Sequence, residues 1–213
     1  MSRVVVMGGS RGIGLETVKA LLKEGHEVVA FSRGAERLQL SNPALLKVSG
    51  DATSEGDVRT AIEGADVVIQ ALGVPVNLKL ITGPIDLFSS ATQTLISVME
   101  STGVRRLIAV TGFGAGDSES AVNCFQKIPF NMIFGHAYSD KSIQEENIKK
   151  SDLDWTIVRP GVLTNGPLKP GYRVRQHRRE WRNGIIPRAA VADYISRILH
   201  DPSTHGTDPV LSN

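Results

Sequence analysis

Residues 4–14 read Val4-Val5-Val6-Met7-Gly8-Gly9-Ser10-Arg11-Gly12-Ile13-Gly14. With Arg3 in front, an unbroken apolar run gives way to glycines. The chain then resumes from Leu15 to Lys23 with apolar residues at Leu15, Val18, Leu21 and Leu22. An uninterrupted β-branched run is the pattern of a strand buried on both faces, and the spacing after the glycines is helical. Strand, tight turn and helix in this order open a β-α-β unit. Glycines at 8, 12 and 14 let the backbone come close to a ligand. The helix N-terminus behind them offers free N–H groups and the positive end of a dipole. A pyrophosphate suits that geometry, so the turn predicts a dinucleotide site contacted by Gly8, Gly9, Ser10, Arg11, Gly12 and Ile13.

Outward from this turn, strand-like and helix-like segments alternate. Further strands are expected over Glu27–Phe31, Leu45–Val48, Asp66–Leu72, Arg106–Thr111 and Trp155–Val158. Further helices are expected from a Thr53 or Ser54 cap through Ile62, over Leu87–Met99, over Lys141–Lys150 and over Ala189–His200. Gly25 and Gly64 read as helix stops. The alternation implies an α/β fold: a doubly wound parallel sheet of the Rossmann type, in three α/β/α layers. Gly112–Gly135 and Gly161–Pro187 read as loop-rich. Both follow strand C-termini, where such a sheet binds its ligand. The length suits one domain over 1–213, with 161–188 as a substrate-side insertion.

Composition narrows the class. Hydrophobic residues make up 41% and charged residues 22%, as in an ordinary globular protein. The net charge of +2 is too small to imply a nucleic-acid or membrane partner. A small-molecule substrate is expected instead, bound by a monomer or homodimer. The single cysteine, Cys124, allows neither an internal disulfide nor a cysteine-clustered zinc site, and no metal is expected. Val4–Met7 is too short for a signal peptide or a membrane span, so the default location is cytoplasmic.

The end of the second strand bears on cofactor choice. A dinucleotide site for NAD(H) usually has an acidic residue there for the ribose 2′-hydroxyl, whereas an arginine accommodates a 2′-phosphate. Here the chain reads Ser32-Arg33, with Arg37 one helical turn on and Arg11 within reach inside the glycine turn. A guanidinium fork bonds phosphate oxygens in pairs, so NADP(H) is expected over NAD(H). Asp51, beside Ala52, is placed to accept from an adenine amino group. Ala71-Leu72-Gly73 lets backbone run past a ribose.

These features together resemble the short-chain dehydrogenase/reductase superfamily. More narrowly they resemble its atypical NAD(P)H-binding group, which includes NmrA-like proteins and biliverdin reductase B (flavin reductase). The resemblance rests on Gly8–Gly14, Ser32-Arg33 with Arg37, Gly50-Asp51-Ala52, Ala71-Leu72-Gly73, Val110-Thr111-Gly112 and the run from Ser151 to Gly161. It implies a strand order of 3-2-1-4-5-6, and Pro160, Gly161 and Val162 beside the nicotinamide.

Typical members use a Ser or Thr after the fifth strand with a Tyr-x-x-x-Lys pair. The lysine lowers the tyrosine's pKa and holds the nicotinamide ribose. By resemblance Thr111 matches the hydroxyl, and Thr111 and Lys141 would also touch the cofactor. The tyrosine departs from the pattern, because Tyr138 stands three residues before Lys141 and Ala137 occupies the expected place. Three- and four-residue spacings share a helix surface, so Tyr138 reads either as the acid/base group or as a packing residue.

Three functions fit. The first is an NADP(H)-dependent oxidoreductase passing hydride to a flavin, quinone or small carbonyl compound. For flavins the cofactor supplies the hydride and the protein mainly orients it. The second is a non-catalytic NADP(H)-binding redox-sensing or regulatory protein. The third is an enzyme like the sugar-nucleotide epimerases and dehydratases, which need a larger C-terminal domain. The basic run Arg173, Arg175, Arg178, Arg179 and Arg182 reads as a solvated sheet edge or the rim of an anionic substrate site.

Overall fold

The computed structural model describes residues 1–74, 86–121, 124–168 and 171–213, with the backbone alone for 119–121 and 124–134. In chain order its strands are β1 (Arg3–Met7), β2 (Glu27–Phe31), β3 (Leu45–Val48), β4 (Val67–Gln70), β5 (Arg106–Val110), β6 (Asp154–Pro160), β7 (Val162–Thr164), β8 (Arg173–Arg175), β9 (Ile185–Pro187) and β10 (Val210–Ser212). Its α-helices are α1 (Gly12–Lys23), α2 (Glu55–Ile62), α3 (Leu87–Thr102), α4 (Cys124–Lys150) and α5 (Arg188–Arg197).

An eight-stranded sheet runs β3-β2-β1-β4-β5-β6-β10-β8, so the first six strands take the expected order. Its pairings are parallel except the last, where β8 runs antiparallel to β10. β7 and β9 form a small parallel pair of their own.

The apolar run of β1 is continuous because both of its faces are covered. Val4 and Val6 pack with Val18 and Leu21 of α1 and Val191 and Ile195 of α5. Val5 and Met7 pack with Val58 and Ile62 of α2, Leu95 and Val98 of α3 and Ile148 of α4. Each such side chain is worth roughly 1.5–3 kcal/mol when fully buried, which fixes the helices on the sheet. Ser54 caps α2, its hydroxyl accepting from the Asp57 N–H at 3.4 Å. Thr53 instead turns to Asp51.

Three readings need correction. The segment expected to be loop-rich up to Gly135 is largely helix, since α4 begins at Cys124. The helix carries through Pro129 and Gly135, residue types that ordinarily interrupt one. Tyr138 therefore lies well inside a helix. The Cys124 side chain lies outside the described residues. The sixth strand extends past Val158 to Pro160 and buries Arg159 completely. The last strand, β10, was not anticipated. It joins the main sheet between β6 and β8, which places Arg173–Arg175 at the sheet edge.

A second buried arginine ties the sheet to the C-terminal end of α5. Arg106 donates to the carbonyls of Ile198, Leu199 and Asp154 at 2.9, 3.2 and 3.0 Å. It also donates to the hydroxyls of Thr156 and Thr204 at 2.8 and 3.1 Å. Burial pulls this guanidinium down to about 10.

Candidate functional site

The sheet order reverses between β1 and β4, and a cleft of about 770 Å³ opens at the C-terminal ends of the strands there. The glycine turn forms its floor. Gly8 takes φ +83°, and a Cβ there would stand 2.5 Å from the Ala71 carbonyl oxygen. Gly14, one turn into the fold's first helix, packs directly on the Gly8 carbonyl. The turn's own bonds use two N–H groups: Gly8 donates to Phe31 O at 2.8 Å and Gly9 to Val6 O at 3.2 Å. In α1 the first backward bond within the helix comes from Leu15, onto Arg11 O. Gly12, Ile13 and Gly14 thus open the helix with donors that have no preceding-turn acceptor. Ser10, Arg11, Gly12 and Ile13 line the cleft, whereas Gly9 lies behind it.

The β2 end supplies Ser32 and Arg33 to the wall. The Ser32 hydroxyl oxygen is buried and has no partner among the described residues. A polar atom left in that state at a cleft wall fits a ligand acceptor. Asp51 accepts from the Thr53 N–H and hydroxyl at 2.9 and 2.8 Å. These bonds, aided by the Arg33 charge, hold its carboxyl below the usual range. Arg11 reaches across to Gly73 O at 2.9 Å. Arg37 faces a separate, shallower hollow shared with Arg11, Gly34 and Leu38. Ala52, Ala71, Leu72 and Gly73 all line the cleft.

At the far end Thr111, Tyr138 and Lys141 come together in the same wall. The Tyr138 hydroxyl lies over Gly112, 2.8 Å from where a Cβ would be, and burial pushes it up to about 12. Lys141 packs its ammonium 4.1 Å above the centre of the Phe88 ring and 3.4 Å from Val110 O. Burial pulls it down to about 8, against the opposing charges of Glu145 and Asp140. Asp140 caps α3, accepting from the Phe88 and Ser89 N–H groups at 2.7 and 3.2 Å. The helix that carries Tyr138 and Lys141 therefore also fixes the ring on which Lys141 rests.

Thr111 is tied from behind. Its hydroxyl donates to Glu145 Oε1 at 2.6 Å. Glu145 takes a fork from Arg159, at 3.0 Å from Nε and 2.6 Å from Nη2. Arg159 also meets Asp208 at 3.0 Å and stacks 4.8 Å from the Trp181 ring centre. With its proton committed to Glu145 Oε1, the Thr111 hydroxyl is left to accept from a ligand.

Pro160, Gly161 and Val162 do not line the cleft. Leu163, the next residue on β7, does. Sequence reading missed Phe31, Gly50, Thr53, Phe88, Leu163 and Arg188, which also line it. Gly50 had a visible signal, because it precedes Asp51 directly, and a side chain there would strike the Phe31 ring. Among the described residues no group of three or more His, Cys, Asp or Glu is arranged to hold a metal. Nor is any described helix long and apolar enough to cross a membrane.

Residues 8–202 match a family described as NAD(P)H-binding. The chain is 27% identical over 154 residues to the 3-beta-hydroxysteroid dehydrogenase of Mycolicibacterium neoaurum, covering 68% of this chain but only 42% of that protein. It is 28% identical to the uncharacterized chloroplastic protein At2g34460 of Arabidopsis thaliana, over 95% of this chain and 74% of that one. Among solved structures, ChuY of Escherichia coli O157:H7, titled an anaerobillin reductase, superposes with a TM-score of 0.81 at 25% identity, over 99% of this chain and 97% of that one.

Proposed function

The chain belongs to the NAD(P)H-binding family, and on that premise we propose that it is an NADP(H)-dependent oxidoreductase delivering hydride to a flavin, quinone or small carbonyl compound. The observation that carries this reading is one cleft holding the glycine turn and Ser32-Arg33 at one end and Thr111, Tyr138 and Lys141 at the other. The likeness to ChuY, described as an anaerobillin reductase, supports it.

Bound NADPH supplies the hydride. The residues of this chain orient and neutralise. The N–H groups opening α1 would meet the pyrophosphate, and Ser32 and Arg33 the 2′-phosphate. Asp51 and Ala52 would border the adenine, and Ala71 to Gly73 the ribose. At the reacting end the Thr111 hydroxyl would accept from the nicotinamide carboxamide or ribose. The Lys141 ammonium would offset negative charge growing on the acceptor. Tyr138, pushed up to about 12, is a reluctant acid. That favours a conjugated acceptor, such as a flavin or quinone, over an isolated carbonyl. The segment 161–188, entering through Leu163, forms the substrate side.

Purified protein mixed with NADPH and a panel of FMN, quinones and aldehydes is expected to oxidise NADPH fastest with a flavin or quinone, read as nicotinamide absorbance. Tight NADPH binding without oxidation by any acceptor would overturn the proposal in favour of a sensor. Lys141 is charged below its pKa of about 8 and neutral above it. Turnover is expected to hold level below that pH and to fall about tenfold per unit above it. Lys141→Met should remove this limb, and a limb unchanged in that variant would take Lys141 out of the chemistry.

Arg33→Asp tests cofactor choice separately. Losing a charged phosphate bond and adding repulsion is expected to weaken NADPH by roughly 100-fold and NADH by less than about threefold. Equal losses for both would refute the 2′-phosphate assignment.

A further inference from the structure

Arg188 opens α5 and lines the cleft on the side facing the glycine turn. Its Nε lies 3.9 Å from the position a Cβ would occupy on Gly12, the first residue of α1. The guanidinium thus lies beside the residue that opens that helix. Its Nη1 donates to a neutral side chain, Asn165 Oδ1, at 2.7 Å. Among the described residues no carboxylate lies within ion-pair distance of it, although Arg3, Arg59, Arg105, Arg159, Arg178 and Arg197 all have one. A guanidinium and a helix N-terminus repel each other when nothing lies between them. Facing across an open cleft, they are the two halves of an anion site.

We propose that Arg188 is a pyrophosphate-binding residue: with the opening turn of α1 it closes on the cofactor's diphosphate from opposite sides, and Asn165 holds its fork in place. The proposal rests on the oxidoreductase reading of the cleft and adds a residue to it. It adds a charged side chain from α5 to the backbone donors that the glycine turn offers the diphosphate. The division of labour at the cleft follows. Arg33 at the β2 end meets the phosphate that distinguishes NADP(H), and Arg188 meets the phosphates that both nicotinamide cofactors share. Arg188 also begins the helix after β9, and Asn165 follows β7. The grip on the diphosphate is therefore mounted on the two strands that flank the substrate-side segment.

The test is calorimetric titration of wild type, Arg188→Gln, Arg188→Lys and Asn165→Ala with NADPH, NADH, ADP-ribose and adenosine 2′-monophosphate. Loss of a charge-assisted phosphate bond predicts roughly 10- to 100-fold weaker binding of the first three ligands to Arg188→Gln. The loss should be partly restored in Arg188→Lys and smaller in Asn165→Ala. Adenosine 2′-monophosphate, which has no diphosphate, is expected to bind all four proteins alike. Unchanged NADPH affinity in Arg188→Gln would overturn the proposal. So would an equal loss for adenosine 2′-monophosphate, which signals a general disturbance of the cleft. Failure of the wild type to bind NADPH or NADH would instead sink the oxidoreductase reading beneath it.

Discussion

Replacing Arg159 by methionine is expected to destabilise the protein by about 3–5 kcal/mol, the usual consequence of leaving one member of a buried ion pair alone. Arg159 is fully buried and Glu145 is 2% exposed at the side chain. Without the fork, Glu145 keeps the Thr111 hydroxyl and the charge of Lys141 nearby, but its own buried charge loses its direct partner. Asp208 suffers less, because it is 20% exposed and still meets Lys149 at 2.8 Å. The double variant Arg159→Met with Glu145→Leu is expected to regain most of the loss, since an apolar pair of similar volume removes both desolvation penalties. Urea denaturation of both singles and the double closes the cycle. A single variant within 1 kcal/mol of wild type (a threshold below the roughly 3 kcal/mol minimum expected) would show that the pair is not buried as described. The double variant also frees the Thr111 proton. If that hydroxyl serves as an acceptor, cofactor affinity should fall even where stability returns.

Gly8→Ala has the largest expected effect on binding. At φ +83° a side chain is strained by about 1–3 kcal/mol. The added methyl would also press on the Ala71 carbonyl, which belongs to the backbone and cannot swing away. Relief requires the turn to part from the end of β4, which displaces the α1 N-terminus from the cleft. We expect NADPH affinity to drop by at least roughly 100-fold, since several phosphate bonds are misaligned together. Gly56→Ala is the control, because nothing lies within 4 Å of its added methyl and it stands outside the cleft. Near-wild-type binding in Gly8→Ala would mean that the turn is not the cofactor floor.

The centre of the sheet was legible because its signals are local. Val4 to Met7 announces a strand covered on both faces, and the glycines that follow announce the turn. The limits of legibility also have physical causes. Arg159 and Pro160 look like an exit from a strand, since a charge and an imino acid both oppose burial. The partners that make Arg159 a core residue, Glu145 and Asp208, lie 14 and 49 residues away. β10 has three residues and so carries no period. Pro129 and Gly135 are poor helix formers inside α4, so the sequence around them carries little helical signal. At the cleft, Thr111, Tyr138 and Lys141 were found through a resemblance, and their convergence depends on α4 running unbroken past Tyr138. Arg188 went unseen because it belongs to no glycine motif. Its place over Gly12 arises only when α5 packs beside α1 on the same face of the sheet.

The insertion of β10 between β6 and β8 bears on how the chain is made. β8 leaves the ribosome first, yet its partner in the sheet is Val210–Ser212. At about 5–20 residues per second, synthesis leaves roughly 2–7 s between Arg175 and Ser212 during which the Arg173–Arg175 edge has nothing to pair with. During that interval the exposed flank is β6, whose Arg159 and Pro160 β10 will later cover. Arginines on β8 keep that waiting strand from pairing with a neighbouring nascent chain.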